Sequence, residues 1–347
     1  MSDAPAPAAV PAAGPAADGY PRLVADIGGS NARFGWIGAP GQAPDERRTL
    51  PVSEHPGPAE AAQAYLAELQ GRLGAAWRAP KRAAFAVATA VAGDRVAFTN
   101  SDWDFSREAV RQVLGLDELL IVNDFEALAL ALPRLAPEQW RPIGPTAPPD
   151  RGTAPPGTVL AVVGPGTGLG VGAVLRTRCG WQALPGEGGH ATLAAGNAQE
   201  AALIERVRRR HPHVSAERLL SGTGLPLLYA ALAELKGEDA AAPAGASAEA
   251  IVQAAQDGSD ALAGETLDLF SALLGGFAGN VALTLGARAG LYIGGGVVPR
   301  FAERFAASAF RRRFEAKGRF EPYLAAVPTR LITDTQVALD GAALALD

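Results

Sequence analysis

Residues 23–37, LVADIGGSNARFGWI, and residues 159–175, VLAVVGPGTGLGVGAVL, decide how this chain is read. Each is an apolar run of strand length, then a glycine-rich turn, then a second apolar run. An internal echo of this kind predicts two structurally similar halves. The residues after the glycines set the class. A Walker A loop or a dinucleotide fingerprint leads from strand through glycine into helix. Here Arg33-Phe34-Gly35-Trp36-Ile37 and residues 171–175 read as returning strands, so each stretch is a β-hairpin with a glycine tip. Neither turn contains lysine, and the chain has only Lys81, Lys236 and Lys317. A phosphate at such tips would be cradled by backbone N–H groups, with a metal ion meeting most of its charge.

Outward from the hairpins the pattern is mixed α/β. A third strand is predicted near 47–52, a helix over 59–73, an apolar strand over 83–89 and a short one over 96–99. A helix over 108–114, a buried strand over 119–122 and a helix over 125–132 complete the first half. Residues 139–157, rich in Pro and Gly, read as a linker. After the second hairpin and a third strand at 181–184 the chain turns helical over 198–209, 225–236, 248–256 and 262–285. A buried strand at 291–293 stops at Gly294-Gly295-Gly296, and Pro299 suits the first turn of another helix. A strand at 330–332 and a helix at 337–346 finish the chain, while residues 1–20, an Ala/Pro tract, read as a disordered tail.

At 347 residues the chain has room for two domains with their own cores. Its net charge of −5 argues against nucleic acid as the main partner. No apolar run reads as a membrane span of roughly 20 residues. Arg208-Arg209-Arg210 and Arg311-Arg312-Arg313 read as solvated helix faces. One cysteine, Cys179, rules out disulfides within the chain and cysteine-rich zinc sites, and fits a reducing cytoplasm.

Candidate chemistry concentrates in four places. Asp26 ends an otherwise apolar strand just before Gly28-Gly29, where a carboxylate is costly unless paired or near a metal. It is either a turn aspartate binding its own backbone or a Mg²⁺-side ligand acting through water. Asn123-Asp124 lies where a buried strand opens into a helix, the place where open α/β sheets put ligands; helix capping by Asp124 is the competing role. Glu187-Gly188-Gly189-His190 joins an acid, a flexible turn and an imidazole, which suits hydrogen bonding to a polyol better than metal binding. Glu217, ahead of Leu219-Leu220-Ser221-Gly222, is a candidate only in company with these.

Taken together and in this order, these motifs resemble bacterial glucokinases of the proteobacterial type. The segments are Asp26-Ile27-Gly28-Gly29-Ser30-Asn31-Ala32-Arg33, Asn123-Asp124-Phe125, residues 164–170, residues 187–190, Ser215-Ala216-Glu217-Arg218 and residues 294–299, and the match spans essentially everything after Tyr20. The resemblance implies an α/β, two-domain actin-like ATPase (ribonuclease H-like) fold with a ligand cleft between the domains. The smaller domain would hold 21–134 with 330–347, the larger 135–329. It implies transfer of the ATP γ-phosphoryl group to the 6-hydroxyl of glucose, with Mg²⁺, in a cytoplasmic homodimer that binds no nucleic acid or membrane. Ala25, Asp26, Ile27, Gly28, Gly29, Ser30, Asn31, Gly166, Thr167 and Gly168 would hold phosphates, and Gly294, Gly295 and Gly296 would border the adenosine. Asn100, Asn123, Asp124, Glu187, His190 and Glu217 would line the sugar, with Asp124 the catalytic base. Asn123 and Asp124 would face Glu187, His190 and Glu217 from the opposite domain. The family often has threonine where this chain has Ser30, which keeps the hydroxyl. Other hexoses such as mannose or glucosamine are alternative substrates. A non-sugar actin-fold ATPase is the rival class, and it gives no reason for Asn123-Asp124, Glu187 and His190.

Overall fold

Both hairpins form in the computed structural model, which describes residues 19–98, 101–144, 154–237, 247–334 and 336–347. Two compact units result. One holds the described residues up to Val122 together with Ala345–Asp347, the other those within Asn123–Leu344. The Ala/Pro tract before Asp18 and the candidate Asn100 lie outside the described residues.

In the first unit, β1 (Arg22–Ile27) and β2 (Asn31–Ile37) pair antiparallel, β3 (Asp45–Pro51) joins β2, and β4 (Arg82–Val87) runs parallel to β1. β5 (Arg95–Ala97) and β6 (Asp104–Ser106) form a separate ribbon, and β7 (Glu118–Asn123) completes a five-stranded sheet of order β3-β2-β1-β4-β7. Among the described residues its α-helices are α1 (Pro58–Leu73) and α2 (Arg107–Val113), and the first starts on a proline, whose missing N–H falls where a helix start has no partner to offer. α1 buries Ala61, Ala62, Tyr65 and Leu69 at helical spacing, and the Tyr65 ring stacks on Phe34 of β2 at 5.3 Å.

The second unit begins with α3 (Asp124–Ala131) and builds a six-stranded sheet of order β11-β10-β9-β12-β13-β8. Its strands are β8 (Trp140–Ile143), β9 (Val159–Pro165), β10 (Leu169–Arg176), β11 (Trp181–Leu184), β12 (Gly290–Ile293) and β13 (Thr329–Ile332). β9, β10 and β11 are antiparallel neighbours and β12 lies parallel to β9, as β4 does to β1, so the echo in the sequence is an echo in topology. Around the sheet stand α4 (Ala198–Arg208), α5 (Ala216–Leu219), α6 (Leu225–Lys236), α7 (Ala248–Asp257), α8 (Ala261–Leu285), α9 (Ala302–Ala307), α10 (Phe310–Glu315), α11 (Glu321–Ala325) and α12 (Val337–Leu344).

α8 is the axis of this core. Asp260 caps it, accepting from the N–H groups of Leu262 and Ala263, and Gly286 ends it in the left-handed region at φ +66°. A Cβ on Gly275 or Gly279 would sit 2.3 Å from the Phe310 carbonyl oxygen or 2.5 Å from that of Phe314, so glycine is what lets α10 lie so close. By length and composition alone α8 could cross a membrane, contrary to the reading that no run is long enough, with a mean hydropathy of 1.4; 67% of that window is buried inside the protein. It is a core helix.

Four other expectations change. The division between units falls at Val122/Asn123 instead of after residue 134, because α3 packs on β9, β10, β11 and α12. β13 likewise sits between β12 and β8 in the second sheet, so 330–344 belong there. The stretch read as a linker opens with β8, which pairs antiparallel with β13. The 311–313 arginine run is not a plain solvated face. Arg311 donates to the carbonyls of Val327 and Ala325, and Arg313 pairs at 2.8 Å with Glu200, itself 1% exposed.

Candidate functional site

The tip of the second hairpin is closed by Gly166 N–H donating to Gly168 O at 2.8 Å and is held from outside by the segment after α5. Gly222 N–H donates to Gly166 O (2.7 Å) and Thr223 Oγ1 to Thr167 O (3.1 Å). The five alternating glycines do different jobs. A Cβ at Gly166 would meet nothing within 4 Å, so the side-chain position of this residue faces open space. At Gly168 it would lie 2.3 Å from Glu217 Oε2, and at Gly164, Gly170 and Gly172 it would strike Phe125. Only the tip, then, is free to approach a ligand.

That tip opens on a cleft of about 580 Å³ bordered by Gly166, Thr167, Thr223, Glu249, Gly296 and Arg300. The glycine triplet after β12 is stapled to the end of β9: Gly294 N–H donates to Val163 O at 2.9 Å and Val297 N–H to Pro165 O at 3.0 Å. Gly295 adopts φ +75° with its α-carbon packed against the Pro165 carbonyl, a place no side chain fits. Gly296 is left facing the cleft. On the far rim Arg300 hydrogen-bonds Glu249 and holds its carboxyl below the usual carboxylate range.

Glu187, His190 and Glu217 come together beside the same tip. Gly188 and Gly189 let the loop lie flat on β10: a Cβ at Gly189 would be 1.9 Å from Leu169 O. His190 then stands at the end of a short 3₁₀ turn, its Nδ1 3.7 Å from Glu217 Oε1 and its Nε2 4.0 Å from Glu187 Oε2. Glu217 rides on α5, which Ser215 caps, and its Oε2 accepts from Leu169 N–H at 2.9 Å. Its carboxylate therefore touches both the hairpin and the imidazole. The side chains of Glu187 and His190 are more than half exposed, so their polar atoms are open to solvent.

Asn123 ends β7 and caps α3, its Oδ1 accepting from Phe125 N–H at 2.9 Å; Asp124 Oδ1 accepts from the same N–H. Glu126 reaches back to the Asn123 N–H in the manner of a capping box, and burial raises its pKa above the usual value. The capping expected of Asp124 falls to Asn123, the N-cap, while Asp124 is the first residue of α3 and its carboxylate accepts from the same Phe125 N–H, which holds it at the helix start. Asn123 and Asp124 lie at the boundary of the two units: Asn123 ends β7 of the first sheet, and Asp124 opens α3, which is grouped with Glu187, His190 and Glu217 in the second unit.

The first hairpin belongs to the other unit. Gly28 N–H donates to Asn31 O at 2.9 Å to close its tip, and Val52 N–H donates to Ser30 O. Ala25, Asp26 and Ile27 are buried strand residues, Gly28 and Gly29 are half-buried, and Ser30 and Asn31 are exposed. Asp26 Oδ2 accepts from Arg33, its cross-strand partner, at 2.9 Å, yet burial still pushes the Asp26 carboxyl above its ordinary range. A buried carboxylate incompletely neutralised by a part-exposed arginine suits a hydrated dication. Among the described residues no group of three Asp, Glu, His or Cys side chains is placed to hold a metal ion, so water and phosphate oxygens would have to complete the shell, as Mg²⁺ prefers.

The sequence reading missed Thr223, Glu249, Val252 and Arg300 on the cleft wall. The run Ser221-Gly222-Thr223-Gly224, small and polar between two helices, was the available signal. Arg300 and Glu249 carried none, because they meet only in the fold.

A glucokinase family profile matches residues 23–347. The chain belongs to the glucokinase family. It is 48% identical over 330 residues to the glucokinase of Aromatoleum aromaticum, covering 95% of this chain and 96% of that one. To that of Paramagnetospirillum magneticum it is 47% identical over 322 residues, covering 92% and 96%. Among solved structures, a glucokinase from an Antarctic psychrotroph superposes with TM-score 0.81 at 37% identity, covering 94% of this chain and 98% of that one. Balamuthia mandrillaris glucokinase in complex with glucose gives 0.74 at 20% identity, covering 94% of each chain, a likeness of fold. The fold is the two-domain actin-like ATPase fold, and the protein is an enzyme of the hexose kinase class.

Proposed function

We propose that this enzyme transfers the γ-phosphoryl group of ATP to the 6-hydroxyl of glucose, with Asp124 accepting the hydroxyl proton. The observation that carries the reading is the Glu217 carboxylate, bonded to Leu169 N–H at the hairpin and 3.7 Å from His190. It joins acids and an imidazole to an amide-lined tip. Carboxylates accept hydrogen bonds from hydroxyls and repel anions, so Glu187 and Glu217 select a neutral polyol and disfavour an acid. Glu187, His190, Glu217, Asn123 and Asn100 then read the sugar. The tip at Gly166, Thr167 and Gly168 and the first hairpin from Ala25 to Asn31 receive the phosphates, while Gly294, Gly295 and Gly296 border the adenosine beside Thr223 and Arg300. Asp26 would hold Mg²⁺ through water, and the ion would supply neutralisation of phosphate charge. The remaining work is positioning, and Asp124 is suited to it because its helix start is fixed by capping. Further parts of the proposal are a homodimer acting at the entry of glucose into glycolysis in the cytoplasm.

The same two carboxylates would also accept the ammonium of glucosamine, so a coupled assay should compare glucose, mannose and glucosamine with ATP, with and without Mg²⁺. Glucose should give the highest kcat/KM, with turnover lost on chelation. A panel in which glucose is no better than the others, or turnover indifferent to chelator, overturns the proposal.

A further inference from the structure

The glycines of β9 and β10 look, in sequence, like one phosphate loop. Three of them face away from the tip and onto α3. A Cβ at Gly170 would lie 1.9, 2.0 and 2.3 Å from Phe125 Cδ2, Cε2 and Cγ; one at Gly164 would lie 2.4 Å from Cζ. At Gly172 it would lie 2.4 Å from the Phe125 carbonyl oxygen and 3.3 Å from Ala129 Cβ. None of the three has the left-handed backbone that would call for glycine on its own account. Their purpose is space, and Phe125 fills it: its ring lies in a socket floored by two strands, and its carbonyl rests on a third glycine. Because the contact reaches Cγ, the ring cannot swing clear by a small rotation.

Phe125 directly follows Asp124, and its N–H is the donor to both Asn123 and Asp124. We infer that Phe125, keyed into Gly164, Gly170 and Gly172, is a positioning residue that fixes Asp124 against the same hairpin whose tip would grip the phosphates. This rests on Asp124 being the base. The donor loop and the proton acceptor are then set by one contact instead of by separate elements, and a misplacement of about 1 Å at such a point costs about 10²-fold in rate.

The test uses Gly170→Ala, Gly172→Ala, Phe125→Leu, Phe125→Ala and the doubles of each glycine change with Phe125→Ala. Melting temperature, kcat, and glucose affinity without nucleotide are measured for each, with Asp124→Asn alongside. Gly170→Ala and Phe125→Leu should lower kcat by about 10²-fold while glucose affinity changes by less than about threefold. In a Phe125→Ala background, itself slow because the ring that positions Asp124 is gone, Gly170→Ala should cost little further kcat, since the atoms the new methyl would strike are absent. Gly172→Ala should still cost kcat in that background, because its clash is with the backbone carbonyl. Should Gly170→Ala fail to fold, Phe125→Leu alone decides. A folded Phe125→Leu enzyme with wild-type kcat, or kcat and glucose affinity falling in step, overturns the socket. If Asp124→Asn keeps its kcat, the base assignment fails, and it does so independently of the Phe125 result.

Discussion

Gly168→Ala should damage the proposed sugar site although residue 168 lies in the hairpin proposed to grip the phosphates. The added Cβ would stand 2.3 Å from Glu217 Oε2, so to reach ordinary contact the carboxylate must retreat by about 1 Å. Its bond from Leu169 N–H, now 2.9 Å, would then stretch to nearly 4 Å and cease to be a hydrogen bond. Such a bond to a charged acceptor contributes about 1.5–3 kcal/mol, and the lower part of that range applies because the Glu217 side chain is 32% exposed. About 1–2 kcal/mol corresponds to roughly 5–30-fold in kcat/KM for glucose. Steady-state kinetics with each substrate varied in turn reads the effect: the glucose parameter should move and the KM for ATP should change by less than about threefold. In a Glu217→Ala background the extra methyl should cost little more, since the group it displaces is gone. A loss confined to ATP, or an equal further loss in that background, would refute the link through Glu217.

Glu187→Gln and His190→Ala should raise the KM for glucose by about tenfold or more and leave ATP nearly unaffected, with little change in melting temperature because both side chains are more than half exposed; equal losses for both substrates would point to a folding defect. Asp26→Asn should separate stability from activity. Burial raises the Asp26 pKa above 3.8, so the folded state holds that proton more tightly than the unfolded chain does. The ionised carboxyl therefore costs stability as pH rises through that range, and Asp26→Asn should melt higher than wild type at neutral pH. The gain should vanish on acidification, while turnover at neutral pH falls because the carboxylate for Mg²⁺ is gone. A lower neutral melting temperature would mean that the Arg33 pair outweighs desolvation.

The two hairpins were legible because strand, glycine turn and returning strand leave a local pattern, and the long helix because Leu262, Leu267, Phe270, Leu274 and Phe277 recur on its buried face. The site was legible where its residues are neighbours in sequence, as in Glu187 to His190. The roles of the individual glycines were not. A missing side chain looks the same whether it leaves open space, as at Gly166, or makes room for a ring, as at Gly170. The boundary between units failed for a similar reason. α3 is apolar enough to pack on either sheet, and what assigns it is contact with residues more than 30 positions away, such as the close approach of Gly341 to Ala127 O. β8 hid in a stretch whose prolines argue for loop, yet an edge strand tolerates Pro142.

The central claim is that Asp124 takes the proton of the sugar hydroxyl, and Asp124→Ala tests it most directly. Measured side by side, kcat at saturating glucose and ATP should fall by roughly 10²–10⁴, the share of a general base, while glucose binding without nucleotide stays within a few-fold of wild type, because Glu187, His190 and Glu217 still hold the sugar. A variant that binds glucose and keeps near-wild-type kcat would contradict the account and leave Asp124 as no more than the first residue of α3.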